Sequence, residues 1–563
     1  MISQRHPGSE ARAGRFPGPS LIPDLHEIQR EHGWLPREEL VKLSRDRRRP
    51  LYEIEGLISF YPHFRTSPPP ETTEVACCHD LSCWLHGSDE RLAELRADPD
   101  IELREVSCIG RCDRAPAASS DTAGVRRSDV QRPNDPYVTD ARDYRVLRSA
   151  LAGELNTADL IAELKESELR GMGGAGFPTG TKWGLVAKQE AEPKYAICNA
   201  DESEPGTFKD RQILAEQPHL VLEGLVLGML ATGCREGWVF IRHEYEPEEE
   251  VLREELERLR SLGLLDEAGV GVDIFTSPGG YILGEESALI ECMEGHRGEP
   301  RNKPPFPGVA GLWGKPTLMN SVETFAHVPV IAERGAEWWK SQGENGGTGL
   351  KFFAVSGHIE KPDVYCVPMG TTARELIELA GGVSEGRELL AFQPGGASSN
   401  FLGPEQLDVP LDFGPLAEAG SMLGSGALVA IAEGTDLLAA ATNVLRFFRN
   451  ESCGKCVPCR VGSTKAHAIL SELIESGGGP EDVDDRVLEL EKTMRLTSIC
   501  GLGQVALGPA ISVLGLKRGG TEAHPQPRPP RPPDQAAGSK DGDADSSDGG
   551  SPGGAASPGD ASS

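Results

Sequence analysis

Hydrophobic positions recur at two periods along this chain, and the change of period divides it. Leu21, Leu25 and Ile28 fall at helical spacing and stop at Gly33, Pro36 opens a second helix, and Leu51, Ile54, Leu57 and Ile58 mark a third. ETTEVAC then reads as a strand, LSCWLHGSDERLAELRAD as one helix and IELREVS as a second strand. Small and polar residues from Ala117 to Asp135 read as a linker. From Tyr137 to Gly346 helices alternate with strands such as KYAIC, EGWVFIRH and VDIFTS, which predicts an α/β domain around a mixed or parallel sheet. FFAVSG, a turn at Glu360–Pro362, VYCVP and a helix over Arg374–Leu379 form a smaller unit, and Asp436 to Leu516 is helical apart from loops that bear cysteine. The ends are too rich in Pro, Gly, Ser, Arg or Asp to bury a core. The expected segments are 1–19 disordered, 20–66 helical, 70–118 strand–helix–strand, 119–136 linker, 137–347 α/β, 348–420 small β module, 421–517 helical and 518–563 disordered.

The 563 residues, 38% hydrophobic, are too many for one core and fit a multidomain α/β chain. A formal net charge of −30 argues against nucleic acid or an anionic membrane as a partner. No apolar run reaches bilayer length, His219–Thr232 being the nearest, so no direct membrane insertion is expected. The leading MISQRHPGSEARAGRFPGPS has no apolar export core. A cytoplasmic protein is therefore expected, at most peripheral on the inner face of a membrane through partners, with its 13 cysteines reduced and some of them ligating metal.

Cys453, Cys456 and Cys459 form a C-x-x-C-x-x-C run in ESCGKCVPCR. Thiolates at this spacing wrap one corner of a 4Fe–4S cubane, and the fourth ligand is expected from Cys500 in SICGLG, the remaining cysteine of the helical region. Four thiolates also suit zinc, but zinc sites more often pair two C-x-x-C knuckles than divide three and one. Gly454 and Gly501 let backbone approach the sulfides. Cys78 and Cys83 follow the first strand, Cys108 and Cys112 the second, so two pairs meet at one end of the unit, which suits a 2Fe–2S cluster. Cys77 faces the other way under strand alternation. Cys198, Cys234, Cys292 and Cys366 read as buried structural thiols.

LRGMGGAGFPTGTKW holds G-x-G-x-x-G at Gly171, Gly173 and Gly176, with Gly174 between. It follows a helical pattern, not a strand, so a Rossmann fingerprint fails on context. The glycines still mean that backbone approaches something closely, phosphates or a flat ring, with Lys182 offering a point charge. Asn199, Asp201, Glu202 and Glu204 follow a predicted strand, Tyr281, Glu285 and Glu286 lie beside more glycine, and Lys303 and Phe306 sit in RNKPPFPG. Together these clusters make a nucleotide-type site the leading reading.

These segments, with PTLMNSVET, VPMGTTARELIELAGG, SMLGSGA and SCGKCVPCR, closely resemble the NADH-binding flavoprotein subunit of respiratory complex I. They resemble equally the diaphorase subunits of NAD-dependent formate dehydrogenases and NAD-reducing hydrogenases. The part from LIPDLHEIQREHGWLPREEL through SCIGRCDRAPA resembles the thioredoxin-like 2Fe–2S partner subunit, so the chain looks like a fusion of the two. Residues 348–420 resemble a β-grasp (SLBB-like) module. By that resemblance FMN lies on the glycine loop and meets Lys182, Asn199, Asp201, Glu202, Tyr281, Gly284, Glu285, Asn320 and Thr324. NADH stacks over it, with Phe177, Glu204, Glu286, Lys303 and Phe306 lining the pocket. A carboxylate at the adenosine ribose favours NAD over NADP, either Glu285 or Glu286 filling that role.

Three departures stand out. Met172 replaces a frequent arginine, Ser321 follows Asn320 where many members have a second asparagine, and the expected closing strands after Cys112 are missing. The implied activity is hydride transfer between NADH and FMN and single-electron transfer through the 4Fe–4S and 2Fe–2S clusters. The implied partner is a larger iron–sulfur, molybdenum or hydrogenase catalytic subunit. The competing readings are a cluster-bearing relay subunit without flavin and a zinc-bearing structural protein; the glycine loop, Lys182 and the Glu285–Glu286 pair argue for the catalytic one.

Overall fold

The computed structural model describes residues 20–121, 124–125 and 143–517. Both expected disordered ends and most of the expected linker lie outside the described residues. The three N-terminal helices are Ile22–His32, Arg37–Asp46 and Leu51–Ile58, the first closed by Gly33 at φ 78. Leu21, Ile22 and Leu25 share a core with Leu289, Ile290 and Met293, so this segment is bound to the α/β domain.

Strands β1 (Thr73–Cys78) and β2 (Ile101–Val106) pair in parallel, Cys78 opposite Val106. The single helix expected between them is two, Leu81–Leu85 and Ser88–Ala97. The break falls at Gly87, whose φ of 79 belongs to the left-handed region that ends a helix. Among the described residues only a bridge from Cys77 to Ala118 extends this sheet; most of the segment after it, where closing strands are expected to be missing, lies outside the described residues.

The central sheet is wholly parallel, in the order β5 (Gly271–Ser277), β4 (Glu236–Arg242), β3 (Tyr195–Ala200), β6 (Thr317–Ser321). Helices cover it on both sides, and the helix Pro218–Thr232 is buried along almost its whole length. No single helix among the described residues is long and apolar enough to cross a membrane. The carboxyl ends of all four strands open on one edge, the place where parallel α/β sheets hold ligands.

A third sheet runs β8 (Asp363–Pro368), β7 (Leu350–Gly357), β10 (Ala427–Ala432), β9 (Leu389–Gln393). β7 and β10 are parallel and the outer pairs antiparallel. The expected boundary at 420–421 therefore cuts ahead of β10, a central strand of this sheet, and the module extends to Ala432. ALVAIA is buried at every position, so it shows no alternation from which to read a strand. Cys366, expected buried, is only partly so, because β8 lies at the sheet edge. The helices Leu437–Asn450, Val457–Glu475, Asp485–Thr497, Gly501–Val505 and Gly508–Lys517 complete the described chain.

The helix Pro218–Thr232 meets the helix Val322–Arg334 with almost no gap. A Cβ on Gly224 would stand 2.0 Å from the Phe325 carbonyl oxygen, a backbone atom that cannot step aside. Gly224→Ala should therefore force these helices apart and destabilise the protein by about 3 kcal/mol. A fall in the thermal unfolding midpoint checks this, and an unchanged midpoint contradicts the close approach.

Candidate functional site

The glycine loop is closed at its neck. Arg170 and Pro178 form a bridge, Gly171 N–H donates to Phe177 O at 2.9 Å, and Thr179 N–H donates to Leu169 O at 2.8 Å. Gly174 holds φ 128 with open space where a Cβ would stand, so the loop presents bare backbone. Its base rests on the junction of β6 with the helix Val322–Arg334: Met172 N–H donates to Thr324 Oγ1 at 2.9 Å, and the Ser321 and Thr324 hydroxyls pair at 2.8 Å. Lys182 Nζ donates to Met319 O at 3.0 Å, and Trp183 Nε1 donates to Asn320 Oδ1 at 2.9 Å, leaving the Asn320 amide NH2 to point elsewhere.

The acidic loop after β3 faces the segment after β5. Asn199 Nδ2 donates to Gly284 O at 2.9 Å while its Oδ1 accepts from Asp201 N–H at 3.1 Å, so this amide is a clamp between the two loops. Asp201 accepts from Ser203 Oγ at 2.5 Å and Ser277 Oγ at 2.8 Å; burial pushes its pKa up to about 6 against the pull of Arg242. The Glu202 carboxylate takes the Asp210 and Arg211 N–H groups at 2.9 and 3.0 Å and the Tyr245 hydroxyl at 3.0 Å. It thus anchors the start of the helix Lys209–Glu216, and burial, with Asp210 beside it, raises it to about 7. Glu204 accepts from Ser398 N–H at 2.6 Å and from the Tyr281 hydroxyl at 3.5 Å, joining the β-grasp module to this edge.

Lys303 reaches across to both neighbouring glutamates, its Nζ 2.7 Å from Glu285 Oε1 and 2.7 Å from Glu286 Oε1. Glu285 Oε2 also caps the helix Glu286–Met293, accepting from the Ser287 and Ala288 N–H groups at 3.0 and 2.9 Å. Burial opposes charge on Glu286, but Lys182 and Lys303 outweigh it and hold its carboxyl below the usual range. Burial lowers Lys182, with Glu286 resisting. The edge thus collects Gly171, Gly173, Gly174, Gly176, Lys182, Asn199, Asp201, Glu204, Tyr281, Gly284, Glu285, Glu286, Lys303, Asn320, Ser321 and Thr324, while the Glu202 side chain turns to a helix end. Phe177 sits at the loop neck, and Phe306 stands 40% exposed at the start of Pro307–Ala310.

Two thiol sets flank the edge, and no disulfide engages any of their members. Cys78, Cys83, Cys108 and Cys112 are all buried; Cys108 and Cys112 sulfurs lie 3.4 Å apart, and Cys78 shares thiol hydrogen bonds with Cys83 and Cys108. Backbone N–H groups of Gly110, Ala117 and Gly206 point at Cys108, Cys83 and Cys112 at 3.4, 3.4 and 3.3 Å. Four convergent sulfurs with amide donors fit a 2Fe–2S cluster. Cys77 packs instead with Val75, Leu92 and Leu95 on the opposite face of β1. In the other set Cys456 starts the helix Val457–Glu475 and Cys500 the helix Gly501–Val505. Cys500 lies within electrostatic reach of Cys453, Cys459 and Glu285, which brings this set beside the acidic pair. Burial pushes the free thiols of Cys459 and Cys500 up to about 11 and 12, so metal must displace protons there. The three-plus-one set on two loops fits a 4Fe–4S cluster.

Sequence reasoning passed over residues that hold these parts together. Arg242 donates to Glu202 O at 2.5 Å and Cys108 O at 2.7 Å, tying the acidic loop to a cluster loop. Glu451, two positions before Cys453, accepts from Tyr281 N–H at 2.8 Å and hydrogen-bonds Ser107. Glu451 opens the cysteine segment ESCGKCVPCR and Arg242 ends a strand, but neither segment announces these partners, which are distant in sequence.

Comparison with known proteins agrees part by part. A thioredoxin-like [2Fe-2S] ferredoxin model matches residues 14–133, the Nuo51 FMN-binding domain 164–330, the SLBB domain 352–400 and the NADH-ubiquinone oxidoreductase-F iron-sulfur binding region 439–524. The F 2 subunit of the NADH-quinone oxidoreductase of Rhizobium meliloti is 43% identical over 64% of this chain and 87% of its own length. The HndC subunit of the NADP-reducing hydrogenase of Solidesulfovibrio fructosivorans is 40% identical over 69% and 80%. A crystal structure of NAD+-reducing [NiFe]-hydrogenase in the H2-reduced state superposes with TM-score 0.79 at 30% identity, over 89% of this chain and 92% of that one. The chain is an FMN-dependent oxidoreductase subunit that works between NADH and iron–sulfur acceptors, with FMN, 4Fe–4S and 2Fe–2S as its cofactors. It belongs to the family of the NADH-binding F subunits of NADH-quinone oxidoreductases, in a form that carries the thioredoxin-like 2Fe–2S domain on the same chain.

Proposed function

We propose that the carboxyl edge of the parallel sheet is where NADH gives up hydride, and that the two flanking thiol sets carry the electrons away. FMN, when bound, takes two electrons together from NADH and releases them singly to the clusters. The chain's own residues bind and orient. Bare backbone at Gly173 and Gly174 admits close approach of a ring or phosphate, and Lys182 supplies positive charge beside it. The Asn199 clamp and the Ser277–Asp201 bond hold the acidic loop in register with Gly284. Asn320 offers its NH2 group because Trp183 occupies its oxygen. Phe177 and Phe306 provide apolar surface to keep water from the stacked rings. The observation that carries this reading is the Lys303–Glu285–Glu286 cluster standing within reach of both Lys182 and Cys500.

Glu286 rather than Glu285 is assigned to the adenosine ribose. Glu285 Oε2 is committed to a helix cap and Oε1 to Lys303, whereas Glu286 has only Lys303 on Oε1 to satisfy. A carboxylate there accepts from a 2′-hydroxyl and repels a 2′-phosphate. The partner is a catalytic subunit of the soluble hydrogenase or formate dehydrogenase kind. This rests on Met172, a variation that by the family resemblance goes more with the formate dehydrogenase and hydrogenase branches, and on the likeness to a hydrogenase chain that spans 92% of that chain.

The test is ferricyanide reduction by the anaerobically purified, FMN-reconstituted chain, with iron measured on the same sample. NADH-specific activity is expected, with iron for both clusters. Glu286→Gln should narrow the preference for NADH over NADPH by roughly tenfold, the loss of a like-charge clash. An unchanged ratio removes Glu286 from that role, and iron without nucleotide oxidation favours a relay subunit. A second pair of variants addresses the thiols. Cys78→Ala should lose the 2Fe–2S share of the iron, while Cys77→Ala, its sulfur on the opposite face of β1, should keep it. Equal losses in the two would show that facing does not choose the ligand.

A further inference from the structure

The flavin-binding domain reaches deep into the 2Fe–2S ligand loops. Gly206, between the acidic loop and the helix Lys209–Glu216, aims its N–H at Cys112 Sγ from 3.3 Å. Arg242, at the end of β4, is fully buried and spans Cys108 O and Glu202 O with two nitrogens of one guanidinium. Two further buried arginines cross the same boundary. Arg211 donates to Gly110 O at 2.5 Å and pairs with Asp113 at 2.9 Å, and Arg111 pairs with Glu248 at 2.9 and 3.1 Å. The fit has no slack: a Cβ on Gly110 would lie 2.4 Å from the Tyr245 hydroxyl oxygen.

Reduction adds one electron, and so one negative charge, to a cluster that already carries four thiolates. Donors to sulfur and nearby positive charge stabilise that added charge, and burial strengthens both effects by excluding water. Arg211 and Arg111 each face a buried carboxylate, which cancels most of their field. Arg242 also has a counter-charge, Glu244 at 2.9 and 3.0 Å, but that carboxylate is partly open to water, which screens it, whereas Asp113 and Glu248 are buried. The other Arg242 donors go to carbonyls, one of them on ligand residue Cys108.

We propose that Arg242, aided by the Gly206 amide, sets the reduction potential of the 2Fe–2S cluster, so that docking against the flavin-binding domain makes this cluster easier to reduce. The proposal rests on the four-thiolate assignment given above. Arg242 is here a tuning and positioning residue. It acts on the cluster through the Cys108 backbone and holds the Glu202 loop at a set distance. A cluster domain separated from this surface would lose one sulfur donor and one cation together, which confines easy electron uptake to the assembled chain.

The experiment is potentiometry of the full chain loaded with FMN and both clusters, using dithionite as reductant and following the 2Fe–2S electron paramagnetic resonance signal. Arg242→Gln should move the 2Fe–2S midpoint to more negative potential and leave the 4Fe–4S midpoint where it is. Glu244→Gln, which removes the counter-charge, should move it the opposite way, and Arg242→Lys should keep most of the wild-type value. Midpoints that stay put, or that shift the same way in Arg242→Gln and Glu244→Gln, overturn the proposal, the second pattern being that of general loosening. Where Arg242→Gln does not assemble its cluster, the Lys and Glu244 variants decide between opposite shifts and none. A wild-type chain with no 2Fe–2S signal refutes the four-thiolate assignment itself, a distinct failure.

Discussion

Glu323 has no exposure to water, and three parts of the chain meet on its carboxylate. Lys351 of β7 approaches to 2.7 Å, Lys209 from the helix after the acidic loop to 3.0 Å, and Phe352 N–H donates at 2.9 Å. Lys351 also donates to the Phe352 and Ser425 carbonyls, and Lys209 to Asp210. Removing one partner from such a buried set typically costs about 3–5 kcal/mol, because a charge is left without compensation. Its value to this protein is geometric. Glu323 adjoins Thr324, on which the glycine loop rests, and Lys209 opens the helix anchored by Glu202. The charge cluster therefore holds loop, acidic segment and β-grasp module in one arrangement at the end of the parallel sheet.

The same geometric demand governs the redox parts. Electrons pass between centres only when these are held close, and one ligand loop of each thiol set is fastened to the flavin-binding domain by a polar side chain. Arg242 fastens the Cys108 loop, and Glu451 joins the segment before Cys453 to Tyr281 and Ser107. Burial pushes the Glu451 carboxyl up, with Ser107 and the Tyr281 amide pulling it back. The thioredoxin-like part keeps only two paired strands among the described residues. Its remaining support comes from outside, through Arg111–Glu248 and Arg211–Asp113.

Most of the site was legible because its residues cluster in short segments. Glycine spacing, the three-cysteine run and the paired carboxylates each occupy one loop, and a loop between two elements of known kind has few places to go. The strands β3, β4 and β5 were read from their apolar runs, and the break at Gly87 and the strand β10 were not. One is a matter of a single backbone angle inside a helical pattern, and the other a strand buried on both faces, which loses the alternation that would announce it. The structural task of the Glu202 side chain is hidden for a related reason. A carboxylate in an acidic run looks available, yet the N–H groups of Asp210 and Arg211 lie in front of it once the chain has turned.

What the sequence alone determined is the chemistry: which thiols are spaced for iron, which glycines bare the backbone, which carboxylates and lysines accompany them, and that Cys77 and Cys78 cannot face the same way. Those are local properties, set by side-chain type and the period of a strand or loop. Only the tertiary structure decided how the centres are coupled. Gly206 and Cys112 are 94 residues apart, and Arg242 and Cys108 are 134 apart. No spacing rule links such pairs, because they meet through the packing of whole domains, and the energy that selects the pairing comes from burying charges that find their partners only in the folded chain.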